Sequence, residues 1–95
     1  MAAYVIVDIE IHDAKRYEEY KKLAATTVTA YGGRYIVRGG TAEQLEGEWV
    51  PGRVVVLEFP SVDRARQWWD SAEYAPAKAL RQASASTRMI VVQGV

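Results

Sequence analysis

The chain has 95 residues, with 12 basic and 12 acidic side chains, one histidine and no cysteine. The balanced charge gives no field that would steer nucleic acid or an anionic membrane, and the lack of cysteine excludes disulfides and thiolate chemistry. We expect one domain over residues 1–95 in a cytoplasmic protein. No basic region precedes an apolar run at the start, so no signal peptide is expected, and no apolar stretch is long enough to span a bilayer.

The first half of the chain predicts a strand, a helix and a strand. Aliphatic side chains alternate with others over Ala3–Ile11, which is the period of a strand whose aliphatic side packs against helices. Apolar residues recur at helical spacing over Asp13–Tyr31, with Asp13 as the N-cap and Gly32-Gly33 as the end of the helix. The second strand covers Arg34–Gly39.

The second half repeats this order after a segment of about a dozen residues, which is long for a hairpin connection. In that segment we interpret Ala42–Glu46 as a short strand extension and Val50-Pro51-Gly52 as a turn. The apolar run Arg53–Phe59 predicts a strand that is buried on both faces. A helix over Ser61–Ala83, broken near Asp70–Ala72, follows.

In the second helix, Ser61 is the expected N-cap. The inner stripe is assigned to Val62, Ala65 and Trp69, with Trp68 flanking it. A closing strand over Thr87–Gln93 completes a second strand–helix–strand unit.

Two βαβ halves in a chain of this length predict a ferredoxin-like α+β sandwich, with an antiparallel sheet in the order 4-1-3-2 and the helices on one face. The helix-free face, called the open face below, is expected to carry Tyr4, Ile6, Asp8, Glu10, Arg34, Ile36, Arg38, Val54, Val56 and Glu58. A soluble monomer rarely exposes so large an apolar patch. We therefore expect a homodimer packed sheet to sheet, a dimeric α+β barrel, with residues 42–49 reaching the partner.

Several short motifs along the whole chain resemble the bacterial domain of unknown function 1330 (DUF1330). They include Tyr4-Val5-Ile6-Val7, Tyr17-Glu18-Glu19-Tyr20, Tyr31-Gly32-Gly33-Arg34-Tyr35, Arg38-Gly39-Gly40 and Trp68-Trp69-Asp70-Ser71. The resemblance implies the dimeric α+β-barrel superfamily. That superfamily includes cofactor-independent monooxygenases, dehalogenase-like and isomerase-like enzymes and ligand-responsive modules. The family has no settled activity, so the resemblance assigns no catalytic residue.

The principal site candidates are the charged residues of the open face: Asp8, Arg34, Arg38 and Glu58. Covered charges must pair or neutralise. In a ligand site, Arg38 would hold a carboxylate or enolate and Asp8 or Glu58 would act as the base. Arg34 would supply additional positive charge. Alternatively, these charges form a structural ion-pair network at the dimer interface.

Three further residues are weaker candidates. His12 lies at the first strand–helix junction, where it is either a general base or a solvated loop residue. Tyr35 follows a glycine pair whose amides could face an anion, although the pair also serves as a helix C-cap. Trp69, together with Trp49, Trp68 and Tyr74, either lines an aromatic ligand pocket or belongs to the core or an interface.

The sequence thus predicts a homodimer that binds a small anionic or enolisable molecule in the barrel cavity. The alternative is a non-catalytic structural or regulatory dimer whose buried charges only fix pairing. RNA binding is disfavoured, because the sheet carries aliphatic and acidic residues instead of stacking aromatics and a basic surface. No cofactor, metal, nucleic acid or membrane partner is expected.

Overall fold

The computed structural model describes all 95 residues and shows four strands and three helices. In chain order they are β1 (Ala3–Ile11), α1 (Ala14–Ala30), β2 (Arg34–Arg38), β3 (Arg53–Phe59), α2 (Val62–Trp69), α3 (Ala75–Ser84) and β4 (Ala85–Gln93). The antiparallel sheet has the order β2-β3-β1-β4. Read from the other edge this is 4-1-3-2, so the predicted ferredoxin-like α+β fold is confirmed.

The helix ends follow from local chemistry. Asp13 accepts a hydrogen bond from the Arg16 amide at 3.2 Å, and Ser61 accepts one from the Arg64 amide at 3.0 Å, so both predicted N-caps are confirmed. α1 ends where Gly32 takes a φ of +78°, a left-handed conformation that glycine adopts without strain. Ser71 accepts from the Tyr74 amide at 3.1 Å at the predicted break between α2 and α3.

The core lies between the helices and one face of the sheet. It consists of 14 buried residues: Val5, Val7, Ile9, Tyr17, Ala24, Val28, Val55, Leu57, Phe59, Ala65, Trp68, Tyr74, Ala77 and Ala85. The molecule is 17 Å thick along its shortest axis, which is the depth of one helix layer on one sheet. No helix covers the opposite face of the sheet.

Three expectations about local structure were wrong. Residues 42–46 form no strand, because this exposed segment has no sheet neighbour to pair with. Trp68 lies in the core and Trp69 is 40% exposed, since the Trp68 indole donates a hydrogen bond to buried Thr27 at 3.1 Å. Ile11, the last residue on the aliphatic side of β1 that was expected to pack against the helices, is half-exposed at the end of the strand.

An irregularity in β2 changes which side chains share a face. Arg34 lies opposite Glu58 and Tyr35 opposite Leu57, but Val37 lies opposite Val56, so the register shifts at Ile36. An extra residue of this kind reverses the facing of every residue that follows it in the strand. Arg38 consequently lies opposite Val55 and belongs to the helix side of the sheet.

Candidate functional site

Asp8 holds the β2–β3 connection against the open face. Its carboxylate accepts hydrogen bonds from the Trp49 indole at 2.8 Å and from the Gly52 amide at 2.9 Å, and Arg88 lies 3.6 Å away. The Trp49 hydrogen bond, followed by the Gly52 hydrogen bond, lowers the pKa of Asp8 below its ordinary value. Asp8 is therefore ionised at neutral pH, and each of its two carboxylate oxygens accepts a hydrogen bond from its own chain.

Arg34 and Glu58 form a separate pair at the other end of the open face, with Nε and Oε1 2.7 Å apart. This hydrogen bond lowers the pKa of Glu58. Glu58 lies opposite Tyr4 and Asp8 lies opposite Val54, so four residues of β1, or about 13 Å, separate the two acids. The expectation that Asp8, Arg38 and Glu58 cluster was wrong.

Arg38 and Tyr35 come together on the helix side of the sheet. The Arg38 guanidinium carbon lies 4.3 Å from the centre of the Tyr35 ring, in a cation–π arrangement. Both residues line a cavity beneath α1 together with Tyr17, Tyr20 and Arg53. Burial raises the pKa of Tyr35, against the opposing charge of Arg38.

His12 is exposed and is tied to β4. Its Nε2 atom lies 2.7 Å from the Ser86 hydroxyl, and its backbone amide donates to the Ser84 carbonyl at 2.8 Å. These contacts join the segment after β1 to the junction between α3 and β4. The structure does not bring His12 together with any other predicted site residue.

A connected set of polar side chains crosses the interior between the helices and the sheet. The hydroxyls of Tyr20 and Tyr74 lie 3.0 Å apart, and Arg81 Nε lies 3.4 Å from the Tyr74 hydroxyl. Arg81 Nη1 donates to the Thr87 hydroxyl on β4. Burial, followed by the neighbouring Tyr74, raises the pKa of Tyr20, which keeps this hydroxyl protonated.

Arg81 is the most unusual member of this set, because it is only 3% exposed and has no carboxylate partner. The four ion pairs of the chain use Arg16, Lys21, Arg34 and Arg88. A buried cation is costly unless its environment compensates for lost hydration. Here the observed compensation is limited to the hydroxyls of Tyr74 and Thr87.

Arg81 forms part of the wall of a groove between α2, α3 and β4, called the Arg81 groove below. Its volume is about 430 Å³, and its lining residues are Ala65, Arg66, Trp69, Asp70, Arg81, Gln82, Thr87, Met89, Ile90 and Val91. This volume is typical of sites for small organic ligands. The lining offers two cations, one acid, an indole and aliphatic surface, so the groove suits an amphipathic anion.

Sequence reasoning missed Arg81 and Arg53 as site residues, although a signal was present for each. Arg81 follows Ala77 by four residues on the buried stripe of α3. Arg53 precedes Val55 by two positions in β3 and so shares its buried face. A cation at a core position of an amphipathic pattern is the observation that identifies both residues.

Two further properties bear on the kind of site. No group of His, Asp and Glu side chains is arranged to hold a metal ion. None of the three helices combines the length and the apolar character that a bilayer-spanning helix needs.

The fold and the helix-covered sheet define the class as ferredoxin-like α+β proteins. The model of one family, a domain of unknown function (DUF1330), matches residues 2–95. The chain belongs to this family, as its motifs predicted. Among curated proteins, none matches the chain.

Three solved structures illustrate the fold. A protein of unknown function from Rhodopseudomonas palustris, RPA0582, is 19% identical, with a TM-score of 0.81 over 99% of this chain and 82% of its own. A dimeric ferredoxin-like protein of unknown function from Jannaschia sp. is 12% identical, with a TM-score of 0.73 over 99% of this chain and 100% of its own. SnoaB, a cofactor-independent oxygenase from Streptomyces nogalater, is 11% identical, with a TM-score of 0.65 over 99% of this chain and 93% of its own.

Proposed function

We propose that this protein binds a small anionic or enolisable molecule in the Arg81 groove. The observation that carries the proposal is a nearly fully buried arginine, without a carboxylate partner, in the wall of a groove of about 430 Å³. A carboxylate, enolate or phenolate oxygen would supply the negative charge that Arg81 lacks. Such charge-assisted hydrogen bonds are roughly twice as strong as neutral ones.

The apolar part of the ligand has its own partners in the groove. Trp69 presents an indole, and Lys78 Nζ lies 3.8 Å from the centre of the Trp69 ring. Met89 and Val91 add flexible and branched aliphatic surface. An aromatic or cyclic ligand with one acidic oxygen fits this combination better than a highly charged metabolite does.

The proposal extends to cofactor-independent catalysis through the same contact. A cation that stabilises an enolate lowers the cost of removing a proton from the neighbouring carbon, and this step needs no cofactor. The structural neighbour SnoaB is a cofactor-independent oxygenase, which supports this class of chemistry for the fold. Asp70, the one carboxylate that lines the groove, is the candidate base.

Calorimetric titration with benzoate and with a cyclic 1,3-diketone tests the proposal. Arg81→Gln should weaken binding about tenfold or more, because a hydrogen bond to a charged group is lost. Thr87→Val, which removes a hydroxyl that holds Arg81, should weaken it less. Arg64→Gln is the matched control, since Arg64 stacks on Tyr31 away from the groove. Equal affinity in all four proteins would contradict the proposal.

We also propose that the protein is a homodimer that pairs through the open face. Aliphatic residues on this face are substantially exposed, among them Ile90 at 59% and Val92 at 44%. Covering such a patch is favourable at about 25 cal/mol per Å² of apolar surface. The Jannaschia neighbour is described as dimeric, which supports the same arrangement here.

The alternative function is a structural or regulatory dimer without a ligand. One observation favours it: Asp8 is satisfied by Trp49 and Gly52, and Arg34 pairs directly with Glu58. The charges of the open face therefore have a structural role in the protomer. This alternative does not explain why Arg81 is buried without a carboxylate partner, so we rank it second.

A further inference from the structure

Three cations line one small cavity where α1, β2 and β3 meet: Lys21, Arg38 and Arg53, called the α1 rim below. The cavity shares only Met89 with the Arg81 groove. Lys21 pairs with Glu18 at 2.9 Å, and no carboxylate lies within ion-pair distance of Arg38 or Arg53. The α1 rim is thus a second cationic site on a different side of the interior.

Arg53 is the central residue of the α1 rim. Its guanidinium carbon lies 5.8 Å from the centre of the buried Tyr17 ring, so one side of the group rests on an aromatic face. Its Nε atom is buried and donates no hydrogen bond within the chain. A buried donor without an acceptor costs about 1–3 kcal/mol and more when it is charged. An acceptor that carries negative charge would offset this cost.

The backbone around Arg53 is shaped to accommodate its guanidinium group. Gly39 has a φ of +75°, and a Cβ atom at this position would lie 2.5 Å from the guanidinium carbon of Arg53. Only glycine combines this backbone conformation with so close an approach. The Gly39 amide donates to the Val54 carbonyl at 2.9 Å, which anchors the turn beside the rim.

The cavity beside these donors has a volume of about 20 Å³. A space of this size admits one oxygen-sized group, and a ligand that fills it must leave its remaining atoms in the mouth. The walls beyond the cations are apolar and belong to the core: Tyr17, Tyr20, Tyr35, Trp68, Met89, Val7, Ile9, Val55 and Leu57. The small volume excludes an extended ligand, and the three cations favour an oxyanion that places one oxygen in the cavity.

We propose that the α1 rim is a binding site for a small oxyanion. One oxygen of the anion accepts a hydrogen bond from Arg53 Nε, and Arg38 and Lys21 help to neutralise its negative charge. This inference goes beyond the ligand of the Arg81 groove and does not depend on it. The oxyanion is either a phosphate group or a carboxylate group, because both present negatively charged oxygens at a spacing that matches the N–H donors of an arginine.

Amide NMR titrations with inorganic phosphate and, separately, with acetate test the site at constant ionic strength. We expect saturable shifts at the amides of Gly39 and Arg53. Shifts with phosphate alone assign a phosphate site, and shifts with both anions assign a general oxyanion site. Arg53→Gln should weaken binding about tenfold, as the loss of a charge-assisted hydrogen bond requires.

Control variants separate this site from other effects. Arg64→Gln removes an arginine that also stacks on a tyrosine, at 4.6 Å, and should bind the anion as the wild type does. Arg81→Gln should also leave anion binding at the rim unchanged, whatever it does to the groove. Should Arg53→Gln fail to fold, Arg53→Lys keeps the charge without the Nε donor and should still weaken binding. Unsaturable shifts, or wild-type affinity in the folded Arg53 variants, would overturn the proposal.

Discussion

The hydroxyl groups of Tyr20, on α1, and Tyr74, just before α3, lie 3.0 Å apart in the interior. Their rings meet edge to face with centroids 6.5 Å apart. This contact joins α1 to the N-cap residue of α3 and places the Tyr74 hydroxyl beside Arg81. The tyrosine pair therefore couples the packing of the helices to the position of the proposed ligand-binding arginine.

Tyr20 should contribute to a fall in stability at alkaline pH, together with the buried Tyr17 and the partly buried Tyr35. Burial raises the pKa of Tyr20 in the folded state, while the unfolded chain releases the proton near pH 10. The contribution of Tyr20 is therefore fully present below about pH 10, and it is lost as the pH rises further, by at most about 1.4 kcal/mol per pH unit. Urea unfolding at a series of pH values measures this loss.

Tyr20→Phe provides the control for the alkaline effect. The variant should lose about 1 kcal/mol at neutral pH, since the hydrogen bond to Tyr74 is removed. It should also show a shallower fall in stability above pH 10 than the wild type. A slope identical to that of the wild type would assign the alkaline loss to other groups.

The two adjacent tryptophans should differ strongly in their contribution to stability. Trp68 packs against Phe59 and Tyr74, with ring centroids 5.3 and 4.1 Å away. Trp68→Ala should cost about 3–5 kcal/mol through loss of packed volume. Trp69→Ala should cost about 1 kcal/mol or less, because Trp69 lies at the surface. Chemical denaturation of both variants measures the difference, and equal costs would contradict the assigned packing.

Removal of the Asp8 carboxylate should release the β2–β3 connection. In Asp8→Ala, the Gly52 amide and the Trp49 indole lose their acceptor, so hydrogen exchange at Gly52 should accelerate. Glu10→Ala changes the same strand face without breaking a hydrogen bond and should leave exchange unchanged. Hydrogen bonding lowers the pKa of Asp8 in the folded state. The contribution of the Asp8 carboxylate to the stability of the fold is therefore present above about pH 4 and is lost as the pH falls below that value.

A charge on the open face should disrupt the proposed homodimer. Val56→Glu places a carboxylate at the centre of the aliphatic patch, where pairing would bury it without a partner. Light scattering should show a dimer for the wild type and a monomer for Val56→Glu. Val95→Glu, at the exposed C-terminal residue, should remain dimeric. A monomeric wild type at micromolar concentration would disprove the dimer.

The order of the elements, two βαβ units, predicted the sheet order. Both side-chain N-caps and the helix break were predictable because each depends on local residues with distinctive preferences. It could not predict the extra residue at Ile36, since Ile36 and Val37 are both β-branched and suit either face of a strand. That single shift moved Arg38 to the helix side and separated it from Asp8 and Glu58. Trp68 and Trp69 present the same kind of ambiguity: they are adjacent, and helical spacing alone allows either one to lie on the inner stripe of α2.

The central claim, that Arg81 binds the anionic oxygen of a ligand, is tested most directly by nitrogen-15 NMR of the arginine side chains. On titration with benzoate, the Arg81 Nε–H signal should shift saturably, together with the Trp69 indole signal. The Arg64 signal should stay in place. Saturable binding that moves signals of Ile6 and Val56 on the open face, with Arg81 unchanged, would contradict the account.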